Sequence, residues 1–291
     1  MYTYLYDGTF DGLLTVYFYA YKDTQIYNIC SALHHQPDLL STVKEIHTET
    51  EKAERIRKSV YTKLSSTIMY NLYLLYLSEL PNCDILGLQY LHLCYDNGIA
   101  INNAKQHPIV RKVEDYRYKV TRELDRMKGF LRFQQIDEKV YYAKFAPDHN
   151  QLPLLRNHLE KRFSDQKWIV HDERRNVALV YNLHHSMIVP FTQAEAAQLL
   201  QGSRDTYVDL FQKYFQTIAI KERTNKRLQD HYMPKRYRRT HKLERLLLIS
   251  QMNKQNRSKG SRHTQSMIHH IARKGYFFLM QVRILRTQQQ T

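Results

Sequence analysis

The chain has only three cysteines in 291 residues, Cys30, Cys83 and Cys94, an odd number with no Cys-x-x-Cys spacing. That excludes a disulfide framework and leaves a zinc or iron–sulfur site without its usual ligand set. The sequence also lacks a Gly-x-x-x-x-Gly-Lys-Ser/Thr loop, a Gly-x-Gly-x-x-Gly turn, a Gly-x-Ser-x-Gly elbow and a His-Glu-x-x-His pair. ATPase, dinucleotide, serine-hydrolase and zincin chemistry therefore have no support. No apolar run approaches the roughly 20 residues needed to cross a bilayer, and no repeat of roughly 20 to 50 residues recurs. Near the amino terminus, Asp7 and Asp11 stand where a signal peptide carries Lys or Arg. The expectation is a cytoplasmic chain with no membrane partner and no evident cofactor.

Charge is abundant but uneven. The formal net charge is +16, which favours a polyanionic partner. Residues 238–291 hold 12 Lys or Arg and one acid, Glu244, leaving 32 basic and 27 acidic residues in 1–237. Most of the basicity therefore belongs to the carboxyl-terminal tail, and the body is mildly basic.

Hydrophobic spacing predicts the body. Alternating Tyr2, Tyr4 and Tyr6 favour a half-buried strand, Asp7-Gly8 a turn, and Thr9 a cap for a helix through Leu13, Leu14 and Tyr17. Residues 41–47 read as extended, and Thr48-Glu49-Thr50-Glu51 as a capping box. Four helices follow. They carry Ala53, Ile56 and Val60; Ile68, Leu72 and Leu75; Leu86, Tyr90 and Leu93, ending at Asn97-Gly98; and, from Pro108 to Gly129, Val113, Val120, Leu124 and Met127.

The pattern then changes to period two. Residues 130–134 and 140–145 read as a hairpin about Asp137-Glu138, 152–163 as a short helix, and 168–171 with 177–181 as a second hairpin. A capping box at Thr192–Glu195 starts helices that bury Tyr207, Leu210, Phe211, Tyr214 and Ile218. The predicted class is α+β: a helical cluster packed on a small antiparallel or mixed sheet, spanning residues 1–240 as one domain. Residues 241–291, rich in Lys, Arg, Gln, Ser and His, read as a poorly ordered basic extension. It is either foreign to the body or a basic arm that grips phosphates.

Several residues could carry chemistry. Asp7 falls at the carboxyl end of a strand, where open sheets meet ligands, although Asp-Gly is also a common turn pair. His149 and His171, with Asp148 and Asp172 beside them, suit proton transfer or a divalent ion if their loops converge. Equally, Asp148 or Asn150 could cap a helix, while His171 and Asp172 satisfy backbone groups. Arg174 and Arg175 occupy a turn where two guanidinium groups can clamp phosphate oxygens, or one can pair with Asp172. Arg223, Lys226, Arg227, Lys235 and Arg236, with Tyr232 and Tyr237 nearby, combine cations with rings on which bases can stack. Alternatively this run is a solvated helix face, docked on the core by Tyr237.

Six separated motifs carry a resemblance from Tyr2 to Tyr237: Asp-Gly-Thr-Phe-Asp-Gly at 7–12, Glu-Lys-Ala-Glu-Arg at 51–55, Leu-Ser-Glu-Leu-Pro at 77–81, Pro-Asp-His-Asn at 147–150, Trp-Ile-Val-His-Asp at 168–172 and Met-Pro-Lys-Arg-Tyr at 233–237. Together they resemble bacterial DNA metabolism or repair proteins with the domain of unknown function DUF4130. The chain departs from that pattern at Asn176, where relatives often have Gly, and at Arg238-Arg239-Thr240, where they usually continue with a Trp-Lys-Tyr-Leu-like ending. The resemblance implies association with DNA repair, a partner radical S-adenosylmethionine protein, and relatives fused to uracil-DNA glycosylase domains. It names no reaction. Three functions remain open: a DNA-binding accessory, an enzyme using Asp7, His149, His171 and Asp172, and an interaction scaffold without DNA contact.

Overall fold

Tyr2–Tyr6 forms β1, and Thr9 caps the following α1, Phe10–Ala20, by accepting the Gly12 amide at 2.9 Å. The computed structural model describes residues 2–23, 25–32, 42–201, 227, 231 and 233–238. The predicted buried positions from Tyr207 to Ile218 and the tail 241–291 lie outside them.

The chain divides into two compact units, residues 1–130 with 147–155, and residues 131–146 with 156–291. In the first, β1 is the centre of a parallel sheet of order β2-β1-β3, where β2 is Ile26–Ser31 and β3 is Thr42–Glu45. The tyrosine alternation predicts one exposed face for β1. Instead every residue from Thr3 to Tyr6 is buried, as expected of a strand with parallel neighbours on both sides.

The helices α2 (Thr50–Lys63), α3 (Ser66–Ser78), α4 (Cys83–Asn97) and α5 (Pro108–Phe130) complete this unit. Pro108 opens α5, where its missing N–H costs no helical bond. Gly98, at φ 74°, ends α4 in a conformation that L side chains resist. Two expectations change. Gly129 lies inside α5, and Thr48 forms no capping box, because α2 is preceded by Glu49 and the Thr48 hydroxyl donates elsewhere. Tyr17, Leu72, Leu75, Leu86 and Tyr90 are central to the core.

The second unit holds a mixed sheet of order β4-β5-β6-β7-β8: Gln134–Asp137, Val140–Phe145, Lys167–Asp172, Val177–Tyr181 and Ser186–Pro190. Both predicted hairpins form. The first strand starts four residues later than expected, because Phe130 still belongs to α5. Between the hairpins runs α6, Leu152–Arg162, so β5 and β6 pair in parallel. Trp168 is fully buried, stacks on Tyr181 at 5.1 Å and donates its indole N–H to the Phe163 carbonyl at 3.2 Å. The Thr192–Glu195 capping box closes as predicted at the start of α7, Gln193–Leu199. The class is α+β, with two sheets rather than one.

Candidate functional site

Asp7 leaves β1 at its carboxyl end and closes its own turn. Its Oδ1 accepts the Thr9 amide at 2.9 Å and the Thr9 hydroxyl at 2.8 Å, while its Oδ2 accepts the Thr48 hydroxyl at 2.7 Å. Partial burial works against its charge, but these bonds outweigh it and hold the carboxyl below its ordinary range. Gly12 is needed there. A Cβ at this position would collide with Asp7 Oδ1 and lie 2.8 Å from Thr48 Oγ1.

His149 sits in the same unit, on the loop that enters α6. Its Nδ1 donates to the Ser78 carbonyl at 2.7 Å, which fixes the tautomer, since a carbonyl oxygen only accepts. The Asp148 and His149 amides donate to the two oxygens of Glu123 at 2.8 and 2.9 Å, and the Asn150 amide donates to the Leu77 carbonyl at 2.9 Å. Glu123 is buried on α5 and also accepts the Gln151 side-chain amide at 3.0 Å. Nothing in the spacing of α5 marks it out, because a carboxylate beside an apolar stripe reads as a solvated charge. Asp7 and His149 share an anchor rather than a bond. Tyr76, near the end of α3, donates to the Gly8 carbonyl at 2.8 Å, two residues before the Ser78 that holds His149.

His171 and Asp172 end β6 in the second unit, and both are fully buried. His171 Nδ1 lies 2.9 Å from the Tyr142 hydroxyl, its ring meets Phe191 edge-on at 5.0 Å, and its Nε2 has no hydrogen-bond partner. Burial pushes its pKa down; the nearby Glu173 carboxylate opposes this, while the Lys144 ammonium, paired with Glu173 at 2.8 Å, adds to it. The neutral form is therefore favoured. Asp172 is pushed upward by burial, although Arg175 and the hairpin amides pull the other way. Its Oδ1 accepts the Arg174 amide at 3.0 Å and the Arg175 amide at 3.3 Å, and its Oδ2 accepts the Arg175 guanidinium at 2.8 Å. Asn176, at φ 52°, supplies the left-handed residue the turn requires where relatives often have Gly.

His171 makes the second unit sensitive to acid. Below about pH 6.5, the ordinary histidine value, the unfolded chain takes up a proton that the buried imidazole resists. Stability therefore falls with pH through that value and down to the depressed folded value. His171→Phe is expected to unfold more readily at about pH 7, having lost the Tyr142 bond, yet to lose less stability between about pH 7 and about pH 5 than the parent. Urea midpoints at the two pH values check this.

The predicted cationic cluster is only partly presented. Arg174 is exposed at the hairpin tip, but the Arg175 side chain is only 12% exposed and committed to Asp172, which rules out a two-arginine clamp. Tyr237, in the short helix α8 (Lys235–Arg238), is 2% exposed, so its ring is unavailable to a base and docks the segment instead. Arg236 is exposed and packs over that ring at 4.7 Å. Arg227 is exposed; Arg223, Lys226 and Tyr232 lie outside the described residues, as does the Lys235 side chain.

Among the described residues, no three His, Cys, Asp or Glu side chains gather where a metal ion could be held, and no helix is long and apolar enough to cross a membrane. Fold and loops together define an α+β protein in which Asp7, His149 and Asp172 serve as structural ties and His171 is enclosed. The chain belongs to the family of a domain of unknown function, DUF4130, whose profile matches residues 81–242, more than half of its length. The motifs at 147–150, 168–172 and 233–237 fall inside that match, and those at 7–12 and 51–55 precede it. No curated protein matches the chain.

Proposed function

We propose that this protein is a nucleic-acid-binding accessory of DNA repair or DNA metabolism, acting beside a radical S-adenosylmethionine or glycosylase-type enzyme in the cytoplasm. The observation that carries the reading is a contrast. The groups suited to proton transfer are tied into turns, loops and a sheet, whereas Arg174, Arg227 and Arg236 stand at the surface. Exposed cations meet phosphates at little desolvation cost, while an enclosed His171 meets no substrate. The repair context rests on the family resemblance.

Fluorescence anisotropy with labelled DNA tests the reading. The full chain is expected to bind with a steep salt dependence. Replacing Arg174, Lys235 and Arg236 by Ala should weaken binding and flatten the slope of log K against log salt by about 0.7 to 0.9 for each phosphate no longer neutralised. Arg175 stays in place, since its removal would leave Asp172 buried and unpaired. Salt-insensitive binding, or none, overturns the reading.

A further inference from the structure

We infer that the solvent face of α5 is a single-stranded nucleic-acid platform, with Tyr118 as its stacking ring and Arg111, Lys112, Arg122 and Arg126 following the phosphates. The inference rests on the nucleic-acid reading above and adds to it a surface in the first unit and a strand type.

At 100° per residue, the helical repeat of 3.6, these four cations fall within a sector of about 100°, with Tyr118 on its edge beside Arg111 and Arg122. Along the axis, at about 1.5 Å per residue, Arg111 and Arg122 are about 16 Å apart and Arg122 and Arg126 about 6 Å. That stripe can follow several nucleotides of one strand.

The two acids on this face are already occupied. Asp115 pairs with Lys119 at 2.8 Å, and Asp125 pairs with Lys128 at 3.1 Å. Glu114 pairs with Arg117 and Glu123 is buried, so neither opposes the stripe. Among the described residues, Arg111, Lys112, Arg122 and Arg126 make no ion pair with an acid; the first three are exposed and Arg126 is half-buried.

Tyr118 separates this face from an ordinary solvated helix side. Tyr118 is 54% exposed, and the Arg122 guanidinium lies 5.7 Å from its ring centroid. An exposed ring with a cation at its face offers a nucleobase a stacking surface and its phosphate a charge together. In a duplex the bases are already stacked, so the ring favours a single strand. At the helix start, Gln106, Pro108, Arg111, Lys112 and Asp115 line an open concavity of about 490 Å³.

The test measures binding of labelled oligothymidylate, and of its duplex with oligoadenylate, to the full chain. Tyr118→Ala should weaken single-strand binding about tenfold and duplex binding much less, with Tyr118→Phe retaining the parent affinity. Arg122→Ala with Arg126→Ala should lower single-strand affinity and reduce the salt slope by about 0.7 for each phosphate left without its cation. Tyr118 and Arg122 are exposed and Arg126 is half-buried, so circular dichroism of each variant checks that it is folded. If the parent binds DNA and the α5 variants bind oligothymidylate unchanged, the platform is refuted while the nucleic-acid reading stands. Equal losses for single strand and duplex overturn the strand preference. Polyglutamate bound as tightly as oligothymidylate reassigns the face to an acidic protein partner. A parent chain that binds no nucleic acid removes both readings.

Discussion

Gly87→Ala is expected to destabilise the first unit by about 3 kcal/mol, lowering its unfolding temperature by roughly 10 °C. Gly87 lies in α4 against the Tyr17 side chain. A Cβ there would collide with the Tyr17 hydroxyl oxygen and lie 3.1 Å from Cζ and 3.6 Å from a Leu72 methyl. Tyr17 cannot swing away: it is 1% exposed, and its hydroxyl donates to the Asp84 carbonyl at 2.9 Å, three residues before the glycine. The substitution therefore overpacks the core and strains the Tyr17–Asp84 hydrogen bond.

The two contributions can be separated. Tyr17→Phe alone loses the hydrogen bond, at about 1 to 3 kcal/mol. Combined with Gly87→Ala it also removes the colliding atom, so the double variant should be more stable than the sum of the single losses. Gly129→Ala is the control. A Cβ at Gly129 meets nothing within 4 Å, so the same change in α5 should be neutral or stabilising, by up to about 1 kcal/mol. Urea unfolding of the four variants against the parent measures both signs.

These two glycines show why part of the molecule can be read from its sequence and part cannot. Caps, prolines and 3.6-residue spacing locate α3, α4 and α5, because each places an apolar stripe on one side of a helix whatever it packs against. The β6–β7 hairpin is equally legible, since Asn176 and the alternation around it act locally. By contrast β2 and β8 carry no pattern of their own. Both are edge strands: β8 exposes the adjacent Met187 and Ile188, and β2 runs Ile-Tyr-Asn-Ile-Cys-Ser, in which apolar and polar residues do not alternate. Thr48 has the letters of a capping box, but a carboxylate 41 residues earlier takes its hydroxyl. Arg175 and Tyr237 have the composition of a phosphate and base site. Only burial shows that one is held by Asp172 and the other docks its segment.

Glu123→Ala is expected to cost about 3 kcal/mol or more and to release the loop that carries His149. The carboxylate takes the Asp148 and His149 amides and the Gln151 side chain within 2.8–3.0 Å. Charge-assisted bonds of this kind contribute about 1.5 to 3 kcal/mol each, and an alanine leaves three donors facing a cavity. Glu123→Gln keeps the volume but turns an amide N–H₂ toward main-chain donors, so it should be destabilising too, by about 1 to 3 kcal/mol. Hydrogen exchange separates a local clamp from a general core loss. The Asp148 and His149 amides should lose protection in Glu123→Gln while those of the α4 interior keep theirs. If both sets change together, Glu123 supports the unit as a whole. If the loop alone opens, the Pro-Asp-His-Asn motif is a tethered entry to α6, with His149 bonded to Ser78 as part of the tether.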